Sequence, residues 1–114
     1  MNDNTAYNKG IIGENKALNY LNGLGMQHLQ SRYKTRYGEI DLIMQQGDTI
    51  VFVEVKYRKK GLEGDGLYAV TKQKQNKFSL AAQQYIQENN LQCFVRIDVI
   101  EIIGDKINHI QNAF

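Results

Sequence analysis

The chain has 114 residues, 42% apolar and 23% charged, and carries a net charge of +2 from 14 basic and 12 acidic side chains. That length supplies one core of ordinary size and not two, so residues 1–114 are expected to form a single domain, and the composition excludes disorder along the whole chain. So small a net charge identifies no partner, which has to be read from where the cations lie.

The opening Met1-Asn2-Asp3-Asn4-Thr5 lacks the basic and apolar regions of a secretory leader, and none is expected. Thr5 to Asn22 reads as a helix, with Ile11, Ile12, Ala17, Leu18 and Leu21 at helical spacing, Asn4 or Thr5 as its cap and Asn22-Gly23 as its end. Gly10 and Gly13 weaken that helix but let it approach a sheet closely. Gln27 to Tyr37 is a predicted strand whose alternation puts Arg32, Lys34 and Arg36 on one face. Glu39 to Gln45 and Thr49 to Arg58 follow as a hairpin across Gln46-Gly47-Asp48.

Lys59 to Gly66, with three glycines, is expected to be a mobile loop. Val70 to Asn89 is a second helix, burying Phe78, Leu80, Ala81, Ala82, Tyr85 and Ile86, and Asn89-Asn90 stops it. Cys93 is the only cysteine, which excludes an intrachain disulfide and fits a reducing, cytoplasmic location. Phe94 to Ile103 and Lys106 to Gln111 close the chain as strands. No apolar stretch approaches the roughly 20 residues of a membrane span, so no membrane partner is expected. The order α-β-β-β-α-β-β predicts a mixed α/β domain with a central sheet flanked by helices.

The chemistry concentrates between Gly38 and Arg58. Glu39 and Asp41 share a face of one strand, and Glu54 and Lys56 share a face of the next. Ile50 and Phe52 have the parity of Glu54 and Lys56, while Val51, Val53, Val55 and Tyr57 fill the other parity. Both faces of that strand are therefore apolar at its start, as in a strand covered on both sides. The alternative for such charges is a solvated sheet face, but here they emerge only at the end of the buried strand.

Phosphodiester hydrolysis needs an activated water, a stabilised transition state and a stabilised leaving oxygen. A Mg²⁺ or Mn²⁺ ion held by carboxylates, with a lysine beside it, can meet those needs. Asp41, Glu54 and Lys56 supply such a set, with the Val55 carbonyl as a further oxygen and Glu14 joining if the first helix packs over the hairpin.

Gly38-Glu39-Ile40-Asp41 followed by Val53-Glu54-Val55-Lys56 resembles the PD-(D/E)XK nuclease motif. With Gly10-Ile11-Ile12-Gly13-Glu14, Lys77, Ala81, Arg96 to Ile100 and Asn112-Ala113-Phe114, the chain more narrowly resembles the YraN family of small bacterial proteins, related to archaeal Holliday junction resolvases. The resemblance covers nearly the whole chain. It implies a restriction-endonuclease-like fold and a metal site at Glu14, Asp41, Glu54 and Lys56, and so a metal-dependent endonuclease acting on branched or repair DNA. By analogy with the resolvases it also implies a two-fold homodimer. The alternative on the same fold is a nucleic-acid-binding accessory protein that does not cut.

Around this centre the sequence places Arg32, Lys34, Arg36, Arg58, Lys59, Lys60, Lys72, Lys74 and Lys77, with Tyr33, Tyr37, Tyr57 and Tyr68 interleaved. Such a set suits phosphate contacts, and otherwise forms a solvated face. Glu39 is a metal neighbour or the ion-pair partner of Arg36 or Arg58, and Gln73 and Gln75 either hold a water or phosphate or lie on the helix surface. Arg96 and Asp98 are expected to form ion pairs with neighbours in the sheet. His28 and His109 lack metal-ligand spacing and read as ordinary surface or edge residues.

Overall fold

The computed structural model describes residues 5–60 and 70–114, with side chains in the first helix from Gly10 onward. Helix α1 (Thr5–Gly23) precedes β1 (Gln27–Thr35), β2 (Gly38–Gln46) and β3 (Thr49–Arg58). Helix α2 (Lys72–Glu88) leads to β4 (Phe94–Ile103) and β5 (Lys106–Ile110). The strands form one sheet in the order β1-β2-β3-β4-β5. Neighbours are antiparallel except β3 and β4, which run parallel from Thr49↔Phe94 to Arg58↔Ile103. A parallel pair needs a long crossover, and the segment carrying α2 provides it.

Local chemistry explains the turns and ends. Gln46 pairs with Thr49 across Gly47-Asp48, and Gly47 takes φ +58°, the left-handed conformation that a two-residue hairpin requires. Thr71 caps α2 by accepting the Lys74 N–H, and Asn89 caps its other end.

The helices lie on opposite faces. Ala17 and Leu21 of α1 pack with Met26, Leu42, Met44, Val51, Val53, Ile100 and Ile102. Phe78, Ala81, Ala82 and Tyr85 of α2 pack with Tyr33, Ile40, Ile43, Ile50, Phe52 and Ile97. Strand β3 is thus covered on both sides, as its two apolar parities predict, and each buried large side chain contributes about 1.5–3 kcal/mol. Gly13 is where α1 meets the sheet: a Cβ there would lie 2.8 Å from the Tyr57 Cβ, whereas Gly10 has open space.

The stripes are narrower than the sequence suggests. Ile12 is 45% exposed and Leu80 is 41% exposed, because Gly13–Ala17–Leu21 and Phe78–Ala81–Ala82–Tyr85 already fill the inward arcs. Strand β1 ends at Thr35 rather than Tyr37, so Arg36 leaves the sheet in the turn to β2 and does not share a face with Arg32 and Lys34. Most of the predicted mobile loop, Tyr68 and the cap of α1 at Asn4 lie outside the described residues. No helix among the described residues is long and apolar enough to cross a membrane.

Candidate functional site

Strands β2 and β3 part where the charges begin. Their ladder runs from Gln46↔Thr49 to Leu42↔Val53 and stops. At the next position Asp41 turns its carboxylate into the gap, and Oδ2 accepts the Val55 N–H at 2.8 Å. A side chain thus replaces a backbone rung.

Asp41 and Glu54 come together there, close enough for the charge of Glu54 to act on Asp41. Burial, the charge of Glu54 and that of Glu14 push the Asp41 carboxyl up to about 8, although the Val55 amide favours its ionised form. Burial also raises Glu54, against the opposing pull of Lys56 and Lys74. Lys56 Nζ lies 3.7 Å from Glu54 Oε1, and both side chains are half-buried. The lysine and the carboxylate therefore keep the common face that their spacing predicts.

Glu14 approaches from α1 closely enough for its charge to act on Asp41, yet its Oε1 is held by Arg32 Nε at 2.9 Å. Among the described residues, no three His, Cys, Asp or Glu side chains stand close enough together to hold a metal ion. The pair Asp41 and Glu54 nevertheless makes a suitable donor set for Mg²⁺ or Mn²⁺. Mg²⁺ takes hard oxygens, commonly one or two carboxylates, and retains several waters. Two buried acids that resist ionisation together would be relieved by a divalent charge.

A cavity of about 260 Å³ opens beside this centre, lined by Tyr37, Gly38, Glu39, Glu54, Lys56, Val70, Lys74, Lys77, Phe78 and Ala81. Lys74 and Lys77 are three apart on α2 and so share a face. A second hollow, of about 280 Å³, lies toward α1 between Gly10, Ile11, Glu14, Arg32, Lys34 and Glu39. Glu39 borders both hollows, while Arg36 lies on Tyr37 and Arg58 pairs with Glu101. Among the members of the predicted basic cluster, Lys34, Arg36, Lys59, Lys60, Lys72, Lys74 and Lys77 are exposed, and Arg32 and Arg58 are half-buried.

The arginines of the cluster are engaged within the protein. Arg36 lies over the Tyr37 ring at 4.9 Å and bonds its hydroxyl at 2.8 Å. Arg58 Nη2 lies 2.6 Å from Glu101 Oε2, so the fully buried Glu101 takes it instead of Glu39. Gln75 donates to the Val70 carbonyl at 3.2 Å, a role in holding the start of α2.

Elsewhere the sheet holds a network of which the sequence reading anticipated only the ion pairing of Arg96 and Asp98. Arg96 binds Asp98 through two bonds of 2.9 Å, so the two pair with each other along β4. His109 Nε2 lies 2.7 Å from Asp98 Oδ2, and its Nδ1 is 3.2 Å from the Tyr20 hydroxyl. His109 is therefore a buried linker of α1, β4 and β5, not an ordinary edge residue; its side chain is 6% exposed. The signal lay in the register, since β5 folds back antiparallel along β4 and brings a residue eleven positions away into reach. His28 is exposed, with its Nε2 2.9 Å from the neighbouring Ser31 hydroxyl. Cys93 packs half-buried at the edge of the α2-side core.

The fold and centre define a mixed α/β domain with a paired-carboxylate and lysine centre at the end of a doubly covered strand. The chain belongs to the UPF0102 family: the model of that family, described as an uncharacterised protein family, matches residues 13–102. The chain is similar to the UPF0102 protein of Sulfurihydrogenibium sp. strain YO3AOP1, at 44% identity over 93% of each chain. It is also 43% identical to that of Aeromonas hydrophila, over 96% of this chain and 87% of the relative. With that of Alkaliphilus oremlandii the identity is 44%, over 92% of this chain and 96% of the relative.

Proposed function

We propose that this protein is a metal-dependent endonuclease of restriction-endonuclease-like fold that hydrolyses phosphodiester bonds in DNA, with branched or repair intermediates as its substrates. One observation carries the reading: Asp41 and Glu54 are paired at the splayed end of β3, with Lys56 3.7 Å from Glu54. Asp41, Glu54 and the Val55 carbonyl would hold Mg²⁺ or Mn²⁺, with Glu14 assisting from α1. The ion would lower the pKa of a bound water and polarise the phosphoryl oxygen.

The remaining work falls to the chain's own groups. Lys56 orients the attacking water and donates to the charge that develops on the phosphoryl oxygens. The water oxygen bonds to phosphorus as the bond to the leaving oxygen breaks, giving a phosphomonoester and a hydroxyl. Lys74 and Lys77 line the same cavity as Glu54 and Lys56 and bind flanking phosphates. Lys72 and Lys74 stand in the first turn of α2, a turn without acidic residues where the helix dipole favours anions. Lysines there oppose the dipole, a local conflict that a bound phosphate resolves. Cutting both strands symmetrically would take two copies related by a two-fold axis.

The test is cleavage of branched, nicked and linear DNA with Mg²⁺ and with Mn²⁺. Asp41→Ala and Lys56→Ala are each expected to lower the rate by at least about 10²–10³-fold while the fold is retained. Cleavage at the unaltered rate in either variant would sink the mechanism. A second reading, a DNA-binding accessory that does not cut, draws on the hold of Arg32 on Glu14, which leaves two carboxylates rather than three. It expects structure-selective binding that survives combined Asp41→Asn and Glu54→Gln substitution, with no cleavage under any metal.

A further inference from the structure

Among the described residues, three that are not glycine have left-handed backbone: Arg32 (φ 53°), Asn90 (φ 50°) and Asn112 (φ 53°). Asparagine tolerates that region through local hydrogen bonds of its short side chain, and arginine does not share that advantage. Arg32 therefore needs another cause, and it sits where the sheet is broken. The β1–β2 ladder, which shifts register between His28 and Gln30, passes in unchanged register from Ser31↔Leu42 to Tyr33↔Ile40, skipping the position of Arg32 and Asp41. Side-chain alternation fails at the same point. Ile40 packs in the α2-side core but Leu42, two residues on, packs in the α1-side core.

Both side chains at the break are used. Asp41 leaves the regular face and accepts the Val55 N–H at 2.8 Å. Arg32 crosses to α1 and holds Glu14 at 2.9 Å, with Glu14 largely buried. One backbone irregularity thus gathers groups from α1, β1, β2 and β3.

We propose that Arg32 is the positioning residue of this centre: its left-handed backbone maintains the break that turns Asp41 into the β2–β3 gap, and its guanidinium fixes Glu14 over that gap. The first half concerns the fold alone. The second rests on the reading of these carboxylates as a cation site.

Glycine adopts φ near +50° freely, and alanine does not, so two substitutions separate the halves. Amide hydrogen exchange at Val55, with Val53 as the internal reference, reads the Asp41 bond in metal-free protein. Arg32→Ala should speed exchange at Val55 by about tenfold relative to Val53, because alanine keeps the left-handed α-carbon penalty and loses the Glu14 ion pair that offsets it. Arg32→Gly should leave that ratio within about twofold of the original. Mn²⁺ titration followed by electron paramagnetic resonance reads the other half. Both variants should bind Mn²⁺ about 10–100-fold more weakly, because neither holds Glu14.

Unchanged Val55 exchange in Arg32→Ala would overturn the backbone role, and undiminished Mn²⁺ affinity in both variants would overturn the role of the guanidinium. If the alanine variant does not fold, Arg32→Gln is expected to give the same exchange at Val55. Should the unaltered protein take up no Mn²⁺, the cation-site reading fails together with the guanidinium's role, and Val55 exchange still decides the backbone role.

Discussion

Two aspartates on this sheet meet burial in opposite ways. Asp98 on β4 is fully buried and is the register partner of Val53 on β3. It receives two bonds from Arg96, one contact from His109 and the Asn112 N–H. Burial opposes its ionisation, but His109, Arg96 and the Asn112 amide together hold its carboxyl below the ordinary value. Asp41 on β2 reaches Val55, two residues further along β3, and receives one amide while facing a second carboxyl group. Its carboxyl is pushed up to about 8. Depth alone does not decide whether a buried acid is charged; the number and sign of the groups aimed at it do. The Asp98 set is complete and structural, whereas the Asp41–Glu54 pair retains a deficit of positive charge.

That contrast can be broken most sharply at Asp98. Asp98→Ala leaves Arg96 and His109 without their common partner and is expected to cost about 3–5 kcal/mol in urea denaturation. A loss under about 1 kcal/mol would place Asp98 in the same class as a surface ion pair.

Asp41→Asn should change stability in the opposite direction. Asparagine can still accept from Val55 and can donate to Glu54, but it carries no charge. In metal-free protein at pH 8 the variant is expected to be about 1–2 kcal/mol more stable than the parent. The pH dependence follows from the raised carboxyl. Its contribution to stability is complete below its ordinary 3.8 and is lost as the pH climbs toward about 8, because the folded state binds the extra proton in that window. Denaturation of the parent across that range should therefore show falling stability, and Asp41→Asn should flatten the slope. Asp98 acts oppositely, contributing above the ordinary carboxylate value and losing its contribution in acid as the pH falls through its lowered folded value.

The smallest effect is expected at the rim of the closed network. Tyr20→Phe removes the hydroxyl 3.2 Å from His109 Nδ1 and should cost about 1 kcal/mol. A loss as large as that of Asp98→Ala would mean that α1, rather than Asp98, fixes the imidazole.

Much of the centre was legible along the chain because strands report their faces locally. The two parities of β3 established that it is covered on both sides, and the charges at 54 and 56 then stood out as late and on one face. Helix faces were read less well. Ile12 and Leu80 have the right spacing but lie just off arcs already filled by small residues, which hydropathy undervalues. The basic cluster was legible as composition, but not the contacts of its arginines: Arg36 lies over Tyr37 and Arg58 pairs with Glu101, contacts set by a turn and by the parallel neighbour β4.

By itself, the sequence determined the order of elements, the hairpin at Gly47-Asp48 and the shared face of Glu54 and Lys56. All of these follow from interactions within a few residues. Tertiary structure alone decided that Arg32 holds Glu14, that Asp41 completes the backbone of β3, and that His109 closes on Asp98. Each depends on a strand break or on pairing between distant segments. The periodicity of side chains along one strand carries no record of where its neighbour stops.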